Sequence, residues 1–122
     1  MSEENPIKIG LDFDSTITKH PEFFGNLTRN SGDEFYVITA RPEKDREYVE
    51  GYLKNHDIRV QRVCMIMEDL VRADDRTYIE TVFREKPRMC KDIGIQAIYD
   101  DDLRILNHLK EEIPNIILLL VL

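Results

Sequence analysis

Ile9-Gly10-Leu11-Asp12-Phe13-Asp14-Ser15-Thr16-Ile17, residues 9–17, is an apolar run that ends abruptly in two carboxylates two positions apart. Ile7, Ile9 and Leu11 read as a buried strand of a parallel sheet, and in open α/β sheets ligands bind just beyond the carboxyl ends of such strands. Asp12 and Asp14 are placed there. A pleated strand sends residues i and i+2 to one side, although the chain is already turning at this point. Two like charges held close call for a cation, and hard oxygen ligands of this kind suit Mg²⁺.

Working outward, Pro21 to Leu27 reads as a short helix with proline in its first turn and Phe23, Phe24 and Leu27 on one face, closed by Asn30-Ser31-Gly32. Glu34 to Thr39 is aromatic and β-branched, a second strand that ends in a hydroxyl and runs into Ala40-Arg41-Pro42. A helix is expected from Pro42 to His56, a third strand from Ile58 to Met67, and a polar connection from Glu68 to Arg76. Thr77 to Lys86 is expected to be helical, and a separate short helix should follow Lys86-Pro87, capped by Gly94. Ile95 to Tyr99 is a fourth strand ending in Asp100-Asp101-Asp102. Leu103, Leu106, Leu109 and Ile113 stripe a last helix, and residues 116–122 read as a buried fifth strand. This alternation calls for a doubly wound, Rossmann-like parallel sheet with helices on both faces.

The chain of 122 residues reads as one domain, 1–122, able to bury a core without disulfides. Hydrophobic residues at 42% and charged residues at 34% place it among folded, soluble chains, and the net charge of −7 argues against nonspecific binding to nucleic acid or to a membrane surface. Cys64 and Cys90 each lie in an apolar pattern without metal-site spacing and read as core. The N-terminus has no apolar signal segment and the apolar C-terminal run is too short to span a bilayer, so the cytoplasm is the expected compartment.

Three of the expected strands end in functional-looking groups, Asp12/Asp14, Thr39 and Asp100/Asp101, with Lys86 between the last two. If those strands are parallel, the groups converge on one sheet edge, a set suited to phosphoryl transfer. The four segments Asp12-Phe13-Asp14-Ser15-Thr16, Tyr36-Val37-Ile38-Thr39, Lys86 and Ala97-Ile98-Tyr99-Asp100-Asp101 resemble, in order, the motifs of the haloacid dehalogenase (HAD)-like phosphohydrolases. The resemblance spans residues 7–102. It implies a five-stranded sheet of order 5-4-1-2-3 and a phosphoric monoester hydrolase that depends on Mg²⁺.

The resemblance further implies that Asp12 is the nucleophile of an aspartyl-phosphate intermediate and Asp14 the general acid and base. Mg²⁺ would be held by Asp12, the backbone carbonyl of Asp14 and Asp100, with Asp101 holding a metal-bound water. Thr39 would hydrogen-bond the transferring phosphoryl group, Lys86 would neutralise its charge, and Arg41 and Thr16 would be substrate contacts. Lys91 competes with Lys86 for the lysine role, and the start of a short helix near the sheet's carboxyl edge favours Lys86. Asp102 reads as the cap of the following helix. His20 reads as a surface residue, and the basic cluster Arg84, Lys86, Arg88 and Lys91 as a solvated face that could guide an anionic substrate.

The span between Thr16 and Glu34 is taken up by the crossover helix, so no cap domain fits. An open site in this family goes with large substrates or with a partner or second protomer that completes the pocket. Asp74-Asp75-Arg76 before Lys86 loosely resembles the phosphatase half of polynucleotide kinase-phosphatases, which suggests a nucleotide or a nucleic-acid 3′-phosphate end as substrate. Two other readings compete. A phosphoacceptor module of the response-regulator type would need its acceptor Asp at the end of the third strand, where Met65-Ile66-Met67 stands instead. A catalytically idle binding domain of the same fold would not need every motif residue.

Overall fold

Strand β1 (Lys8–Leu11) forms the centre of a five-stranded sheet in which every strand pairs in parallel. The computed structural model describes residues 5–67 and 74–122. A short helical turn (Phe13–Ile17) follows β1, and then come α1 (Pro21–Asn30), β2 (Glu34–Pro42), a tight turn at Glu43–Asp45 and α2 (Arg46–Asn55). The second half comprises β3 (Arg62–Met67), α3 (Asp75–Ile93), β4 (Ala97–Asp100), α4 (Leu103–Glu112) and β5 (Ile117–Leu120). The order β3-β2-β1-β4-β5 is the expected 5-4-1-2-3 read from the other edge.

Alternation along the strands divides the core in two. Leu11, Phe35 and Val37 pack with Phe24 of α1 and Val49 and Leu53 of α2, while Ile38, Cys64 and Ile98 pack with Cys90 of α3 and Leu106 and Leu109 of α4. Gly10 lies between these central strands. A Cβ there would meet Ile98 Cγ1 at 3.2 Å and Ile38 Cδ1 at 3.4 Å, so glycine lets the two isoleucines close over β1. Cys90 is fully buried, and burial pushes its thiol up to about 12, which makes it an inert core residue.

Register decides where the site forms. Leu11 is level with Val37 on β2 and with Tyr99 on β4, so Asp12, Thr39 and Asp100 come together at the carboxyl edge of three adjacent strands. The β2–β3 ladder is irregular between Thr39 and Pro42, and β2 runs on to Pro42 rather than ending at Thr39 as the sequence suggested.

The largest departure from the sequence reading is α3. One helix of 19 residues replaces the two expected, so Lys86 lies in its second half and not at a helix start. Proline at position 87 cannot donate to the carbonyl of Phe83, which would ordinarily break the helix. Nε2 of His108 on α4 donates to that carbonyl at 2.9 Å, and the two rings stack at 4.9 Å. The orphaned acceptor is thus satisfied from the neighbouring helix. At its other end α3 is capped by Asp74, which accepts from the Thr77 N–H at 2.9 Å, and Gly94 closes it with φ of 86°. Of the expected polar connection 68–76, residues 68–73 lie outside the described residues, and Asp75 and Arg76 are helical.

Other differences are smaller. β3 begins at Arg62, leaving Ile58 to Val60 ahead of the strand. The fifth strand is not buried, because it occupies a sheet edge and pairs only with β4; Ile117 and Leu120 are exposed. Phe23 and Leu103, expected on apolar helix faces, are also exposed, since α1 buries Phe24, Gly25 and Thr28 and α4 buries Ile105, Leu106 and Leu109. No helix among the described residues is long and apolar enough to cross a membrane.

Candidate active site

The chain leaves β1 at Asp12 and turns at once, with the Asp12 N–H still donating to the Tyr99 carbonyl of β4 at 3.0 Å. Asp12 is thereby locked beside the end of β4. Ser15 then takes φ of 62°, a left-handed conformation unusual for a residue with a side chain, and its N–H donates to Thr18 Oγ1 at 2.9 Å. That turn separates the two motif carboxylates: Asp12 points inward and Asp14 lies at the surface.

Lys86 reaches the site from α3 and joins the ends of β1 and β4. Its Nζ donates to Asp12 Oδ1 at 3.0 Å and to Asp100 Oδ2 at 2.7 Å, with only 3% of the lysine side chain and 2% of the Asp100 side chain exposed. Asp100 Oδ1 accepts from the Asp102 N–H at 2.9 Å, which fixes the carboxylate. Burial alone would drive the Lys86 ammonium toward neutrality. The charges of Asp12 and Asp100 outweigh it and hold the group above its ordinary range. For Asp12 the balance falls the other way: burial, assisted by the Asp100 charge, pushes its carboxyl up to about 7 against the pull of Lys86. Two carboxylates thus share one ammonium and remain short of positive charge.

That shortage is what a cation would relieve. Oxygen atoms of Asp12, Asp100 and Asp101 lie within 4.8 Å of one another, an all-carboxylate set that fits a hard divalent ion. Thr16 ties the set together from the turn. Its Oγ1 lies 3.3 Å from both Asp12 Oδ2 and Asp101 Oδ1, and as a single O–H it donates to one at a time. Thr16 is itself fully buried. The sequence reading made it a substrate contact, and its hydroxyl here is occupied with the two carboxylates.

Asp14 stands apart from that set. Its carboxylate accepts two bonds from Arg41, from Nε at 3.0 Å and from a terminal nitrogen at 2.9 Å. Arg41 also contacts Asp45 at 3.3 Å and lies over the rings of Tyr48 and Phe13 at 5.0 and 5.6 Å. The hydrogen bond to Asp14 is the main influence raising the Arg41 pKa. The guanidinium expected to meet substrate is therefore engaged with Asp14. Thr39 is wholly buried, and among the described residues its Oγ1 has no hydrogen-bond partner. Lys91 lies on the outer side of α3, half-exposed and paired with Glu112 at 2.9 Å. Asp102 caps α4, accepting from the Arg104 N–H at 2.9 Å.

Asp12, Asp14, Lys86, Asp100, Asp101 and Asp102 border an open cleft of about 210 Å³, with the buried Asp12, Lys86 and Asp100 at its floor. One wall comes from Tyr78, Ile79, Val82 and Phe83 of α3, and Arg104 and Ile105 of α4 face it. Neither Tyr78 nor Arg104 stood out in the sequence. The one available signal was helical spacing, since Tyr78, Val82 and Lys86 recur every four residues along α3.

No family model matches this chain, and no curated protein matches it in sequence. Among solved structures it is similar to a chain of the Pnkp1/Rnl/Hen1 complex, with a TM-score of 0.67 and 14% identity over 98% of this chain and 47% of that one. A second structure, of the Pnkp1/Rnl/Hen1 RNA repair complex, matches with a TM-score of 0.67 and 15% identity over 98% and 43%. A UDP-N-acetylglucosamine 2-epimerase matches with a TM-score of 0.58 and 12% identity over 89% and 29%. The chain spans less than half the length of each. Likeness at this level is a likeness of fold, and one α/β fold carries unrelated chemistries.

Proposed function

We propose that this chain is a phosphoric monoester hydrolase of the HAD-like type, working through a phosphorylated Asp12. The observation that carries the reading is the buried group in which Lys86 bridges Asp12 and Asp100 at 3.0 and 2.7 Å with Asp101 beside them. Lone acidic clusters are common. A lysine wholly enclosed by the nucleophile and a second carboxylate at the end of parallel strands has a specific use, because phosphoryl transfer asks chiefly for positioning and charge balance.

In the first step an oxygen of Asp12 attacks phosphorus, the new O–P bond forms, and the bond to the leaving oxygen breaks. A proton from Asp14 neutralises that oxygen. In the second step water attacks the same phosphorus, Asp14 takes its proton, and the Asp12 carboxylate is regenerated as inorganic phosphate departs. Lys86 keeps its ammonium beside the reacting carboxylate throughout. Asp14 has to exchange Arg41 for the leaving oxygen, because the guanidinium occupies both oxygens of its carboxylate. Arg41 can contact substrate only by the same exchange. The buried Thr39 hydroxyl, which has no hydrogen-bond partner among the described residues, supports its assignment to a phosphoryl oxygen, since such groups in folded proteins almost always find a partner. Mg²⁺ would be held by Asp12, Asp100 and Asp101 together with the Asp14 backbone carbonyl, and when bound it would supply the positive charge that lets a dianionic ester approach a carboxylate.

The fold shared with RNA repair complexes supports a nucleotide or nucleic-acid end as the phosphorylated substrate. The direct test is hydrolysis of an aryl phosphate with and without Mg²⁺. Turnover should require the metal and should vanish in Asp12→Asn; near-normal turnover in that variant would refute the covalent route.

A further inference from the structure

Tyr78 is a large aromatic residue left 46% exposed on the wall of the cleft that holds Asp12 and Lys86. Among the described residues its hydroxyl makes no hydrogen bond and its ring meets no other aromatic ring. It stands two helical steps above Lys86 on α3, at positions 78, 82 and 86, which at 1.5 Å per residue is about 12 Å along the helix axis. Ile79, Val82 and Phe83 make the wall between them apolar. The floor of the cleft is a phosphoryl site in the reading above, and its upper wall is an apolar surface ending in an aromatic ring that no other aromatic ring meets among the described residues. Tyr78 is close enough to the floor to feel its charge: after burial, the Asp12 carboxylate contributes most to raising the tyrosine pKa.

The geometry points to Tyr78 as a substrate-binding residue that stacks on a planar base, so that the ester taken by this site is that of a nucleoside or of the terminal nucleotide of a strand, with its phosphoryl group on Asp12. This deepens the phosphatase reading and rests on it for the placement of the phosphoryl group. A small aliphatic phosphate anchored on the floor does not extend to Tyr78. The cleft is smaller than the roughly 300 Å³ that usually encloses a small ligand, so it takes one terminal unit and leaves the remainder of a strand outside. Stacking on an aromatic side chain tolerates any base, so affinity is expected to depend on the presence of a ring rather than on its identity.

Binding should be measured by calorimetry in Mg²⁺ with nucleoside phosphonates, linked at the 3′ or 5′ carbon, whose C–P bond this chemistry does not cleave. Methylphosphonate is the control without a base. The wild type should bind at least one of the two nucleoside phosphonates about 10-fold more tightly than methylphosphonate, on the scale of a single stacked base. Tyr78→Ala should abolish that difference and leave methylphosphonate binding unchanged, and Tyr78→Phe should restore it. Equal affinity of the wild type for all three ligands would overturn the inference, as would a preference that survives Tyr78→Ala. Failure of the phosphatase reading would show differently, as absence of ester hydrolysis while the Tyr78-dependent preference remains.

Discussion

Lys86 and Lys91 sit five residues apart on one helix, each paired with carboxylates from another element, yet they occupy opposite environments. Lys86 faces the sheet edge, buried between Asp12 and Asp100, whereas Lys91 faces solvent and meets Glu112 of α4. Five residues turn an α-helix by about 140° at 3.6 residues per turn, enough to move a side chain from core to surface. An ion pair's worth follows from that difference. In water both partners stay solvated when the pair breaks; in the interior the survivor is stranded. Arg41 with Asp14 is intermediate, the arginine side chain being 30% exposed and the aspartate 53%.

The largest expected effect is therefore at Lys86. Lys86→Ala strands Asp12 and Asp100 and should cost about 3–5 kcal/mol in urea unfolding, with turnover lowered by roughly 10²–10³ if the proposed role holds. The pH dependence has a definite sign. A lysine held above its ordinary range contributes stability that is whole below the unfolded value of about 10.5 and is lost as pH rises through the folded one. The gap between wild type and Lys86→Met should therefore persist at neutral pH and close only in strong alkali. A gap that closes at neutral pH would mean that the lysine is not charged there.

Arg41→Ala tests the intermediate pair. Its stability cost should be about 1 kcal/mol or less, since both partners are partly solvated. Turnover of the ester is expected to change as well, because Arg41 holds both oxygens of Asp14 and the aspartate would be released from it. Unaltered turnover would mean that the Arg41 contact does not govern what Asp14 does. The smallest effect is expected at Lys91→Ala, about 0–1 kcal/mol and diminishing with salt, with no change in turnover. If Lys91→Ala proved more harmful to turnover than Lys86→Ala, the assignment of the two lysines would have to be exchanged.

Much of this arrangement could be read directly from the chain. The strand cores around Leu11, Val37 and Ile98 are written as short apolar runs, and the turns into Asp12 and Asp100 as sudden acid, because hydrophobicity and charge are properties of the residues themselves. Parallel order followed from the alternation of strand and helix. Asp74 was read as loop and Asp102 as a cap, and each closes a helix N-terminus as Asp does by its short side chain.

What waited for the tertiary structure were the decisions that distant residues make for one another. Pro87 reads as a helix break until His108, twenty-one positions later, supplies the donor its carbonyl partner lacks. The exposure of Ile117 and Leu120 depends on β5 being an edge, which is a matter of sheet order and not of composition. Asp12 and Asp14 look equivalent in sequence, and only the left-handed turn at Ser15 directs one to Lys86 and the other to Arg41. Tyr78 had no mark in the sequence beyond its helical spacing from Lys86, because a tyrosine becomes a cleft wall only when the helix carrying it is packed beside Asp12 and Asp100.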